Sequence, residues 1–133
     1  MLHSASLGIH WPLLVLAGLT MLAVRPLPSR LVGYADRAEA LVRRFTELRS
    51  RAHQSPRLQP LPTASELQEL HAAFKALDWP DEAAAYHWAV NEAMRHDIAA
   101  LGGSGQPARS AFHRSEADRY WQRSHEEARR LMD

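Results

Sequence analysis

No cysteine occurs among the 133 residues, which excludes disulfides, thiolate metal sites and cysteine nucleophiles together. Lysine is nearly absent as well. Fifteen of the sixteen basic residues are arginine, with Lys75 the exception, and beside so much alanine this reads as the codon bias of a GC-rich bacterial genome. Strand formers are scarce: residues 35 to 133 hold five Val, Ile or Thr against nineteen Ala, and no alternating pattern occurs. An all-α chain follows. No phosphate loop is present either, because "GGSGQP" at 102 to 107 lacks both the lysine and the preceding strand. Ser104 and Ser110 have no glycine elbow around them, so a serine nucleophile has no support.

Formal charge is missing from residues 1 to 24 altogether. Residues 25 to 57 then carry eight arginines against Asp36, Glu39 and Glu47, a net charge of +5. Residues 58 to 133 carry eight basic and twelve acidic side chains, a net charge of −4. The overall charge of +1 therefore hides a neutral, basic, acidic layout.

Within the neutral part, Leu7 to Val24 gives eighteen uncharged residues, including "WPLLVLAGLTMLAV". As a helix this stretch spans roughly 27 Å, close to the hydrocarbon thickness of a bilayer. Pro12 falls in the first turn, Trp11 suits an interface, and Arg25, Pro26, Pro28 and Arg30 close the far end. A cleaved signal fits less well, since no Lys or Arg precedes the apolar run. The expected organisation is a tail at 1–6, a transmembrane helix at 7–24, a basic juxtamembrane helix and start of a hinge at 25–57, and a small acidic helical domain at 58–133. Arg25, Arg30, Arg37, Arg43 and Arg44 all follow the span, so the positive-inside rule keeps the C-terminal body cytoplasmic. The same arginines are the candidate contacts for anionic lipid.

Residues 34 to 53 place Tyr34, Ala38, Leu41, Phe45, Leu48 and Ala52 at steps of four and three, a 3.5-residue seam. Such a seam packs on the chain's own domain or, less economically, on a second copy through the 34–52 helix. Three prolines within "QSPRLQPLPT" predict a hinge, and Thr63 with Glu66 predicts a capping box opening the next helix. Leu67, Leu70, Phe74 and Leu77 form its stripe. A third helix starts at Pro80–Glu82 and carries Tyr86, Val90, Ala93, Met94 and Leu101 on one face. A last helix near Ser110 to Met132 aligns Ala117, Trp121, Ser124, Ala128 and Leu131. The expectation is a single span followed by a bundle of about three to four helices.

Two acid–imidazole pairs stand out, Glu92 with His96 and His113 with Glu116. Neither has the Glu-x-x-His spacing of a carboxylate-bridged metal site, and Glu92 and His96 point away from the Tyr86–Val90–Ala93 stripe, toward an expected solvated face. No catalytic, cofactor or metal residue is assigned on this basis, and no enzymatic activity is expected. The basic helix has no recognition helix or stacking platform beside it, so nucleic acid is not the expected partner. The expectation is a non-enzymatic, single-pass interaction protein of the bacterial inner membrane. It would be an accessory or scaffold subunit that docks other subunits through Tyr34, Leu41, Phe45, Leu48, Trp88, Phe112, Tyr120 and Trp121, with membrane lipid as its second partner. The alternative is a helical metal- or cofactor-binding membrane protein using His87, Glu92, His96 and His113.

Overall fold

A computed structural model describes residues 29–54, 60–102 and 105–132. Among these residues there are four α-helices and no strand: α1 Ser29–Gln54, α2 Pro60–Lys75, α3 Ala84–Gly102 and α4 Pro107–Met132. A 3₁₀ turn, Asp81–Ala83, leads into α3. The proposed span at Leu7 to Val24 lies outside the described residues, as do Arg25, Gly103 and Ser104. Among the described residues no helix is long and apolar enough to cross a membrane.

Two helix starts differ from the sequence reading. α2 begins at Pro60, so Thr63 lies inside the first turn and not at a cap. Proline is tolerated there because the first-turn N–H groups have no intrahelical acceptor to lose. Two of the three prolines in the expected hinge, Pro60 and Pro62, thus open a helix instead of breaking one. α4 likewise begins at Pro107, ahead of Ser110. Ser110 donates its hydroxyl to the Ala100 carbonyl at 2.7 Å, which ties the start of α4 to the end of α3.

Each helix runs antiparallel to the next. Arg44 on α1 meets Glu66 on α2, Phe74 on α2 stacks on His87 of α3, and Trp88 on α3 meets Tyr120 of α4. The core draws on all four helices: Tyr34, Val42 and Phe45 from α1, Leu67 and Phe74 from α2, Tyr86, Val90 and Met94 from α3, Ala117 and Trp121 from α4. Small side chains set the closest approach. Ala89, Ala93 and Ala100 on α3 and Ala117, Ser124 and Ala128 on α4 are buried, so these two backbones come near each other along their length. The basic helix α1 belongs to this core. The prolines after it do not leave it loosely attached, because Phe45 packs on Trp121 with ring centroids 6.1 Å apart.

Candidate functional site

Three polar arrangements sit within or beside the core, and each joins helices distant in sequence. The first is Asp97. Its carboxylate is buried and accepts from Arg49 Nε at 2.8 Å and from Trp121 Nε1 at 2.7 Å. Arg49 also donates to Asp118 at 2.9 Å. One carboxylate thereby fastens α1, α3 and α4, and its role is architectural.

The second is Tyr34–His87. The Tyr34 hydroxyl lies 3.0 Å from His87 Nδ1, and the imidazole is stacked between Phe74 at 4.6 Å and Trp79 at 5.4 Å. Burial raises the Tyr34 hydroxyl far above its ordinary value and lowers the His87 imidazole to about 4. Both groups therefore stay neutral at pH 7, and the tautomer of His87 sets which of the two donates. Neither His87 Nε2 nor the Tyr86 hydroxyl has a partner among the described residues.

Neutral His87 has a consequence for stability. Its folded value lies below the value of about 6.5 expected in the unfolded chain, so the unfolded chain takes up a proton first as pH falls. His125 behaves alike, lowered to about 4 by burial and by Arg129. The stability these two rings contribute is complete above about pH 6.5 and declines toward pH 4. We expect the melting temperature to fall by more than about 5 °C between pH 7 and pH 4.5. Replacing His87 with Gln should flatten that dependence in parallel melts; an unchanged slope would remove His87 from the account.

The third arrangement lies on the α3–α4 face. His96 Nδ1 and His113 Nδ1 are 3.0 Å apart, and Arg95 Nη2 is 3.4 Å from His96 Nε2. The His96 ring stacks on Tyr120 at 5.6 Å and meets the edge of Phe112 at 6.4 Å. Tyr120 in turn meets Trp88 edge-on at 5.3 Å. Trp88 is 52% exposed and Phe112 58%, the most exposed large hydrophobic side chains among the described residues, with Trp79 next at 42%. A cleft of about 410 Å³ lies beside Trp88 and Tyr120, flanked by Arg119, Arg123 and Glu126. A second, of about 420 Å³, lies at the start of α4 between Gly102, Arg109 and His113.

His96 corrects the expectation of a solvated face, for it is only 6% exposed. It occupies the register of Ala89, Ala93 and Ala100, which faces α4, so the ring is held between the two helices. Glu92 is partly buried and bonded to Arg95 at 2.7 Å, while Glu116 is bonded to Arg119 at 3.0 Å. The two acid–imidazole pairs do come together, but each carboxylate is held by its own arginine. Among the described residues no three His, Asp or Glu side chains gather in a way that could hold a metal.

The eight residues offered as partner contacts divide sharply. Tyr34, Phe45 and Leu48 are buried in the chain's own core, and Leu41 packs partly against it. Trp121, on the aligned stripe of its helix, is 8% exposed and bonded to Asp97. Trp88, Phe112 and the half-buried Tyr120 form one surface patch. Of the arginines offered to lipid, Arg37, Arg43 and Arg44 are exposed; Arg43 pairs with Glu39, and Arg44 with Glu66 and Glu47. Arg30 lies in the first turn of α1.

Comparison with protein-family models, with curated proteins and with solved structures finds no match for this chain.

Proposed function

We propose that this chain is a non-enzymatic adaptor anchored in the bacterial inner membrane by Leu7 to Val24, which docks another protein subunit on its α3–α4 face. The observation that carries the docking reading is the exposure of Trp88 and Phe112 together with Tyr120 on one side of a helix pair. Large aromatic side chains lose much when left in water and are the usual anchors of protein interfaces. Their rigid rings are also already positioned, Trp88 by Tyr120 and Phe112 by His96, so little side-chain entropy remains to be lost on binding. The anchor reading rests on the length and flanks of the apolar stretch and on the arginines that follow it.

Alkaline phosphatase fused after Asp133 tests the topology. The fusion should be inactive and should stay with the membrane after carbonate washing; an active fusion would overturn the cytoplasmic placement. Photo-crosslinking amino acids at positions 88 and 112, with position 51 of α1 as control, test the face in intact cells. We expect one shared adduct from the first two positions and none from the third. Against that partner, Trp88→Ala and Phe112→Ala should each weaken binding by about 2 kcal/mol, or roughly thirtyfold. Titration with unchanged affinity would remove this face from the proposed function.

A further inference from the structure

Two imidazoles that meet through the same nitrogen can bond in only one way: one Nδ1 carries hydrogen and the other is bare. His96 and His113 meet so, at 3.0 Å across the α3–α4 interface. Arg95 decides which is which. A guanidinium only donates, so its approach to His96 Nε2 requires that nitrogen to be the bare one. His96 then carries hydrogen on Nδ1 and gives it to His113 Nδ1, and His113 keeps its own hydrogen on Nε2. We propose that this pair is a proton-released clasp, which joins α3 to α4 while one facing nitrogen is bare and lets that end of the two helices part once both are protonated.

The surroundings fit this role. Burial, then Arg95 and His113, lower the His96 imidazole, against the smaller pull of Glu116 and Glu92. From α2, His71 bears on the same Glu92 and Arg95. Both acids are also bonded to arginines, Glu92 to Arg95 and Glu116 to Arg119, which offsets their pull on a second imidazolium. Beyond the clasp, the Ser110–Ala100 bond and the partly buried Ile98 and Leu101 hold the same end. Among the described residues, Ala100 is the one buried apolar side chain past His96 on α3, and none lies before His113 on α4. His96 is also the ring on which Tyr120 and Phe112 rest, so opening the clasp would disturb the exposed aromatic patch. Nothing in this inference depends on what that patch binds.

Nitrogen-15 NMR of the imidazoles, with amide hydrogen exchange, tests the clasp on the full chain in detergent micelles between pH 8 and 4.5. At pH 7.5 we expect the Nδ1–H tautomer for His96 and Nε2–H for His113. His96 should take up its proton below the ordinary histidine range, held down by burial, Arg95 and His113. Below that point amide exchange at residues 98–102 and 107–113, corrected for its intrinsic pH dependence, should rise up to about tenfold per pH unit for each proton gained. His113→Gln should abolish this local rise, and His125→Gln should keep it. A His96 ring titrating in the ordinary histidine range would overturn the proposal, as would a rise spread evenly over all four helices. The tautomers of the unmodified chain are decisive even where a variant folds poorly: Nε2–H on both rings rules the clasp out.

Discussion

Residues 58 to 133 expressed alone should show no cooperative unfolding transition, and a separate peptide covering residues 29 to 57 should restore one. The fragment keeps α2, α3 and α4 but loses Leu31, Tyr34, Val42, Phe45 and Leu48, all buried in the common core. Burying a side chain of this size is worth about 1.5–3 kcal/mol, so the five together contribute roughly 8–15 kcal/mol. That equals the whole net stability of an ordinary domain, about 5–15 kcal/mol. Removal of α1 also takes Arg49 from the buried Asp97 carboxylate and Tyr34 from His87. Calorimetry and near-UV circular dichroism of the fragment, with and without the peptide, decide the matter. A sharp transition above about 50 °C in the fragment alone would mean that α1 is dispensable to the fold. The acidic part is short of bulky apolar residues, and the helix that covers it comes from within the chain.

The helices were legible because their stripes are regular. Leu67 and Phe74, Tyr86 and Val90, and Ala117 and Trp121 all point inward as their spacing requires. The 3.5-residue seam of α1 was equally clear, but periodicity alone does not name the surface it meets, and here the seam meets the chain's own α2, α3 and α4. The polar groups were harder to read. Asp97 stands four residues after Ala93 and seven after Val90, in the register of the buried stripe. That position was a signal that a cation and a donor must reach it from elsewhere. His87 and His96 share the same property, one beside Tyr86 and the other in line with the small alanines. A histidine or aspartate is counted as polar and set on the outer face by default, although its helical position says otherwise. Which arginine or which second histidine would answer it depends on long-range packing, which no local spacing shows. Trp121 was legible as part of the inner line of its helix, but the acceptor for its indole N–H, a carboxylate 24 residues away, was not.

Asp97→Ala should cost about 3–5 kcal/mol of stability, the loss typical of breaking a buried ion pair from one side. The carboxylate is 4% exposed and accepts two bonds shorter than 3 Å, from Arg49 and from Trp121. Its removal leaves the Arg49 guanidinium with only the exposed Asp118 among the described residues, and leaves a buried indole N–H without this acceptor. An unpartnered buried donor costs about 1–3 kcal/mol, and a nearby cation costs more. For a body of this size the melting temperature should drop by at least about 12 °C. Asp97→Asn separates charge from shape. The amide oxygen can still accept from one donor, so this variant should lose roughly half as much, and the loss should shrink when Arg49→Ala accompanies it. A double-mutant cycle between Arg49→Ala and Asp97→Ala should show a coupling within about 0.5–3 kcal/mol, the range for residues sharing one network. Additive losses would place the cost in the Trp121 bond alone. In that case α1 would be held to α3 and α4 by its apolar seam, and the ion pair would only set the register in which Phe45 meets Trp121.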